Sequence, residues 1–516
     1  MRRKEWLAIC LSALLCCSAC APATAEDPAS GTAQDATVVA TQTDDTENTS
    51  KEVGSDSQNV AVASEGQKDG AEKVSSGRTA GKGKSGDVGS TSKKTKPGDR
   101  TGSSGKSDDS STNKSNGSSS GKKNGGSSSA KKSSKSQSDA ASSAKVLTDG
   151  ESLTGGTYTA TGDDESALSA SGIVKASVTG AQIVKSAGSA SSADEASFTG
   201  VNAAVRVYDS AQLTLTDCTV EASASNATGV FAYDKGVVTL DNCTVTVTGG
   251  GAGGVQVAGG GTLYGTNLTV TSASKAAIRS DRGGGVMVLD GGTFTSTGQN
   301  GCPAIYSTAD ITVKNAECVS TNSRAVIIEG KNSVTLENCT LTGNDLSTKA
   351  GSVKANVLLY QSASGDASVG TSVFTMSGGT MKANTGAMFY CTNAASVINL
   401  NNAELLLSDD GTLLIVSAGR WGKDGKNGGD CTLNAKAQTL TGDIQVDAIS
   451  SLTLNLTEGS SFTGAVTGEG KISVTLDASS TWTLTGDSYV ASLSGDLSGL
   501  DLNGFTLYVN GVAYAC

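Results

Sequence analysis

The stretch "LDNCTVTV", Leu240–Val247, has near twins in "LTDCTVEA", Leu215–Ala222, and "LENCTLTG", Leu336–Gly343. All three follow one frame: apolar, any, Asp/Asn/Gly, small, any, apolar. The frame recurs as "LTGGTY" at Leu153, "VTGAQI" at Val178, "LYGTNL" at Leu263, "LDGGTF" at Leu289, "VKNAEC" at Val313, "MSGGTM" at Met376 and "LNNAEL" at Leu400. Seven of the nine intervals between third positions are 23 to 26 residues, and the two long ones hold insertions. Asp, Asn and Gly tolerate a left-handed backbone at little steric cost. The third position, held by Asn242, Asn315, Asn338 and Asn402 and by Gly265 among others, therefore predicts a sharp corner between two short strands. The apolar residues on either side then point to one interior.

Upstream of most frames lies a further apolar run: "GVFAYD", "GVQVAG", "AAIRSD", "PAIYST", "RAVIIEG", "NVLLYQ" and "GAMFYC". Each period thus carries about three short strands and three turns. Composition agrees: Gly is plentiful at 66 residues and aromatics are 4 %, which suits short strands and tight turns and disfavours long helices. A period near 24 with three strands resembles the right-handed parallel β-helix of the pectate-lyase-like superfamily. That resemblance implies an all-β solenoid in which stacked coils share one core. It covers Ser152–Asn402 well and carries no activity by itself. After Leu405 the frame weakens, and the alternations that follow, including "LNGFTL" at Leu502, predict further coils and a cap.

Three regions follow, 1–25, 26–145 and 146–516. The start "MRRKEWLAICLSALLCCSACAPATA" has Arg2, Arg3 and Lys4 before an apolar run, as a secretory signal does. "CSAC", Cys17–Cys20, resembles a bacterial lipobox, with Cys17 where Leu is usual. The resemblance implies lipidation of Cys20 and a membrane anchor, and cleavage after Ala25 with free secretion is the alternative. Residues 26–145 are rich in Ser, Gly, Lys, Asp and Thr and predict a disordered tether. Residues 61–145 hold 17 basic and 8 acidic groups, while 146–516 hold 18 basic and 33 acidic. An acidic domain is a poor partner for nucleic acid.

His is absent. That removes the commonest general base and metal ligand together, so mixed His/Cys zinc sites and His-dependent triads are excluded, and neither a metal nor another cofactor is expected. The patterned region has eight Cys. Cys218, Cys243 and Cys339 hold the frame's small position, and Cys318 its sixth. Two readings stay open: a small apolar filler, or a disulfide set that also draws on Cys302, Cys391, Cys431 and Cys516, whose pairing the sequence does not give. Cys218 and Cys243 fall on successive rungs, within bridging distance but with nearly parallel Cβ vectors.

The acidic pair Asp163/Asp164 and the "SDRGGG" turn with Asp281 and Arg282 are weak candidates for a carboxylate–arginine site. A stronger signal is "SAGRWGKDGKNGGD", Ser417–Asp430, which puts Arg420, Trp421, Lys423 and Lys426 into an acidic, aromatic-poor domain. A Trp flanked by cations on a loop can stack on a sugar or grip an anionic glycan, or the ring can fold back onto the coils. The combined expectation is a non-catalytic, adhesin-like bacterial surface protein that binds or displays loops to glycans or cell-wall polymers. A polysaccharide lyase or glycoside hydrolase is the alternative, and a structural envelope component the third.

Overall fold

The computed structural model describes residues 143–299, 301–348 and 351–515. The chain divides into two units, Met1–Lys123 and Asn124–Cys516, and every described residue belongs to the second. The expected signal segment, Cys20, nearly all of the expected tether and Cys516 lie outside the described residues.

The coils begin at Ser143–Val146, slightly before the expected boundary, and stack as a parallel β-helix. Three strand faces make each coil. The first face is a 13-stranded parallel sheet running from Ser143–Val146 to Val466–Gly468. It contains all seven apolar runs found upstream of the frames, from Val230–Tyr233 to Ala387–Thr392. The second and third faces form one 22-stranded sheet, because Gly261–Ser272 and Gly285–Ser296 run through the corner between them. Beyond Glu404–Leu406, a four-stranded sheet starting at Thr439–Thr441 carries the third face onward. The one antiparallel pairing among the described strands, Leu507–Val509 with Val512–Ala513, sits at the C-terminal end of the coils.

Register explains the frame. Leu215 pairs with Leu240, and Val220 with Val245; all four are fully buried. Between them the backbone is left-handed at Asp217 (φ 54°) and Asn242 (φ 51°), and again at Asn315, Asn338 and Asn402 (φ 48°, 52° and 51°). The corner side chains also bond along the stack, Asn242 Nδ2 to Asp217 Oδ1 at 2.6 Å and Asn315 Nδ2 to Asp290 Oδ1 at 2.8 Å. Inward residues from Leu147 to Leu507 make one continuous core, each large apolar side chain contributing about 1.5–3 kcal/mol on burial.

One rung differs from expectation. Leu240 pairs with Gly265, not with Leu263, so the corner of that coil is Asn267 (φ 52°), two residues on. Gly265 stands in the interior position that Leu240 and Leu289 hold in the adjacent coils. A Cβ there would lie 2.6 Å from Leu268 Cδ1 and 2.7 Å from Leu289 Cδ2. Leu268 in turn fills the small slot where the previous coil has Cys243. The Leu240/Cys243 pair has become Gly265/Leu268, with large and small exchanged across the corner. "LNGFTL" also departs from the frame: Asn503 and Gly504 turn the chain between Leu500–Asp501 and Leu507–Val509, outside the stack of corners.

The cysteines of the frame are buried free thiols. Cys218, Cys243 and Cys339 donate to carbonyls of the preceding coil at Val178, Leu215 and Val313 (3.5, 3.4 and 3.3 Å), as small interior residues that also use a weak donor.

Gly265→Leu is expected to cost about 1–3 kcal/mol through overpacking. Adding Leu268→Cys should return most of that loss by restoring the volumes of the previous coil. Guanidinium titration of the single and double variants measures the coupling. At the corner, Asn402→Val should cost about 1–2 kcal/mol or more, since a branched side chain opposes the left-handed backbone. Asn402→Gly should leave the denaturation midpoint nearly unchanged.

Candidate ligand-binding cleft

On the first face, alternate side chains point away from the core. Register stacks them in one row: Arg206, Phe231, Gln256, Arg279, Tyr306, Ile327, Leu358, Tyr390, Ile415 and Gln445. Such a row is exposed unless something covers it. At the N-terminal end the first insertion does so. Its helix α1 (Ala193–Thr199) is capped by Ser192, whose hydroxyl accepts from Glu195 N, and is stopped by Gly200 at φ 76°. A Cβ on Gly200 would lie 2.5 Å from the Phe231 ring. Arg206 Nε donates to Thr199 O (2.9 Å), Gln256 Nε2 to Ser197 O (2.8 Å) and Lys275 Nζ to Ser197 Oγ (2.7 Å). Burial, with Arg279 adding repulsion, pulls the Lys275 ammonium down to about 8.

The weak acidic candidates belong to this cover. Asp163 and Asp164 each accept from an insertion backbone N–H, at Ser189 and Ser191, both at 2.7 Å. Asp281 is buried against Arg279 at 2.7 Å, and its carbonyl closes the exposed turn through Arg282 and Gly283 by accepting from Gly284 N at 3.1 Å. Arg282 lies over the Phe198 ring of α1, 4.1 Å from its centroid, and pairs with Asp366 of a later insertion at 2.6 Å.

Further along, the row opens into a cleft of about 190 Å³. Its floor is Tyr306, Ile327, Leu358 and Tyr390, with Tyr360 and Thr392 from the parallel row. Apart from Thr392, these side chains belong to an apolar cluster separate from the core, and Trp421 packs against it. One wall is the insertion that carries Ser347, Ser352 and Val353. It is held down by Asp345, which pairs with Arg324 at 3.0 Å, and by Arg324 Nη2 donating to Val353 O at 2.5 Å. The opposite lip is Gly419, Arg420 and Trp421. The Trp421 and Tyr360 ring centroids are 5.8 Å apart at 40°, and the Arg420 guanidinium lies 4.5 Å from the Trp421 ring.

Behind the floor, Glu329 is 1 % exposed. It accepts from the Tyr306 hydroxyl at 2.5 Å, from the Tyr360 hydroxyl at 2.8 Å and from Ser362 and Ser364. The phenols are thereby fixed in place. Burial, then neighbouring anionic groups, pushes both tyrosines above the usual phenol range. Two groups at the cleft have no protein partner of the expected kind. Thr392 Oγ1 is buried without a hydrogen-bond partner among the described residues, and Arg420, which is exposed, makes no ion pair among them.

Of the four loop residues singled out in the sequence, the structure brings Arg420 and Trp421 to the cleft. Lys423 and Lys426 sit on an exposed turn beyond it, joined by a backbone bond from Lys426 N to Lys423 O. The floor tyrosines went unread, although "PAIYST", "NVLLYQ" and "GAMFYC" display them. The available signal was bulk at both parities of a strand, which means both faces are covered. Among the described residues, no group of three or more Cys, Asp or Glu is placed to hold a metal ion, and no helix is long and apolar enough to cross a membrane.

Glu329→Ala removes a charged acceptor from two buried phenols, and a loss of about 1.5–3 kcal/mol in unfolding free energy is expected. Thermal and chemical denaturation would measure it. Tyr306→Phe in the Glu329→Ala background should then cost less than it does alone.

A family model described as a right-handed beta helix region matches residues 203–345. Comparison with curated proteins and with solved structures found no match. The matched segment spans the coils from just before Val205–Tyr208 to the loop after Thr340–Gly343. The fold is thus a right-handed parallel β-helix, an architecture that serves enzymes and non-enzymes alike.

Proposed function

We propose that this protein binds carbohydrate without chemically altering it, taking a sugar of an envelope or host polymer into the cleft on the first face of its β-helix. The observation that carries the reading is the pairing of an aromatic floor with the Arg420–Trp421 lip. Tyr306, Tyr390 and Trp421 offer flat apolar surface at low entropic cost, and sugar rings present matching C–H faces. Thr392 Oγ1 supplies a buried hydroxyl in want of a partner, and Arg420 a cation for a carboxylate or sulfate group. Glu329 is engaged by four hydroxyl groups, so it serves to position the phenols and is not available as a general acid or base. In this reading the protein is an adhesin-like surface lipoprotein. Cys20 carries the lipid, residues 26–142 act as a spacer, and the rigid coils present the cleft. Lys423 and Lys426 add long-range attraction for anionic polymers.

A glycan array probed with the full chain tests the reading. Binding should fall at least ~10-fold, about 1.4 kcal/mol, on Trp421→Ala, while Lys423→Ala and Lys426→Ala change chiefly its salt dependence. Array signal indifferent to Trp421 would remove the cleft from the account. New reducing ends or unsaturated uronates after incubation with pectin, alginate or glycosaminoglycans, with or without Ca²⁺, would replace binding with catalysis.

A further inference from the structure

Two interior cysteines stand apart from the frame. Cys391 points inward from the first-face strand Ala387–Thr392, and Cys431 points inward from Asp430–Lys436, on the second face of the next coil. They are 0 % and 1 % exposed. Their sulfurs are 3.5 Å apart, with the Cys391 thiol directed at the Cys431 sulfur.

We propose that Cys391 and Cys431 form an intramolecular disulfide that crosses the core and joins two faces of the β-helix. The geometry differs from that of Cys218 and Cys243. Those two lie side by side in successive rungs and touch one another, but each thiol is also directed at a carbonyl of the coil before it. Cys391 and Cys431 approach from different faces and meet sulfur to sulfur. A bond at ~2.0 Å needs the sulfurs to close by about 1.5 Å from their 3.5 Å separation. Local packing favours the approach as well. At Gly429, two residues before Cys431, a Cβ would lie 2.7 Å from Cys391 O and 2.9 Å from Val416 Cγ1, and only glycine lets the strands come so close.

The bond closes a loop of 40 residues, and that loop contains the whole of Ser417–Asp430. Cys391 is flanked by Tyr390 and Thr392 of the cleft floor, and Cys431 directly follows the segment that bears Trp421. The cross-link would therefore pin both roots of the cleft's lip. It is proposed independently of what the cleft binds.

The chemistry is thiol–disulfide exchange with an external disulfide, either glutathione disulfide or a protein oxidant. One cysteine thiolate attacks a sulfur of that disulfide and expels a thiolate. The second cysteine thiolate then attacks the protein sulfur of the mixed disulfide and expels the other. Two electrons pass to the external disulfide, and the two protons lost by the cysteines end on the departing thiols. Contact with Cys391 and burial hold the Cys431 thiol well above its usual range, so the exchange belongs to folding, before these coils close.

The full chain, refolded in a buffer of reduced and oxidised glutathione, is unfolded without reductant in the presence of N-ethylmaleimide, digested and mapped by mass spectrometry. The expected result is one linked peptide joining Cys391 to Cys431, lighter by two hydrogens than its parts, while Cys218 and Cys339 carry the label. Labelling of both Cys391 and Cys431 in the unreduced chain, or linkage of either to a different cysteine, would overturn the proposal. Dithiothreitol should also lower the melting temperature of the oxidised chain by several degrees and leave that of Cys391→Ala/Cys431→Ala unmoved. An equal fall in the double variant would assign the effect to other cysteines and overturn it too.

Discussion

The stacked left-handed corner constrains the rest of the molecule. Parallel coils lie about 4.8 Å apart, and at that spacing a residue in one coil must adopt nearly the conformation of the residue above it. A corner that turns left-handed in one coil therefore demands a left-handed residue in the next. Asp217, Asn242, Asn267, Gly291, Asn315, Asn338, Gly378 and Asn402 meet that demand in succession. Once the corner is fixed, the parity of both flanking strands is fixed, and with it which side chains form the core. The later coils keep the corner with less suitable residues, at Ala437 (φ 46°) and Glu458 (φ 55°). There the stack gains a different support on the second face. Asn455 donates to Asn434 at 2.8 Å, Asn434 to Asn399 at 2.9 Å, and Asn399 to Thr375 at 3.1 Å.

Because the constraint is local and repeats, the fold could be read from residue order. The seven upstream runs, the three faces and most of the corners follow from residue type alone. The slip at Gly265 shows the limit of that reading. Leu263 and Gly265 have the same strand parity, and an apolar pattern of period two does not distinguish them. The deciding fact is an exchange of volume with Leu268 and Leu289, which exists only once coils are stacked. The cleft was less legible for a related reason. Trp421 and Arg420 stand out by composition, but Tyr306, Tyr360 and Tyr390 sit inside apolar runs whose composition does not tell inward from outward positions. Whether a side chain on such a strand faces the core or the outer surface depends on parity. Whether an outer side chain is buried depends on what the insertions cover.

The insertions decide where function can reside. Outward rows on the second and third faces are mostly Thr, Ser, Asn and charged residues, suited to solvent. The first face carries Arg, Phe, Tyr, Ile and Leu outward, and such a row in water would be an exposed apolar patch. Helix α1 and its loop cover the N-terminal part, with Arg206, Gln256 and Lys275 reaching up to hold them. The insertions flanking Ala355–Tyr360 and the Ser417–Asp430 loop border the remainder without filling it. Salt bridges tie these covers to the face and to each other: Arg324–Asp345 within the cleft wall, and Arg282–Asp366 beside Phe198.

Glu329 shows how the opening is kept in shape. A buried carboxylate without partners would be costly, yet this one receives four hydroxyl donors, two from tyrosines that line the cleft. The bonds consume the phenols' polar ends and leave their ring surfaces for contact. In the proposed reading, a ligand would meet aromatic surface already held in position, and little side-chain entropy would remain to be lost on binding. The strand faces supply the spacing, the corner supplies the register, and one satisfied carboxylate supplies the rigidity. Together they make a repetitive scaffold hold a non-repetitive cleft.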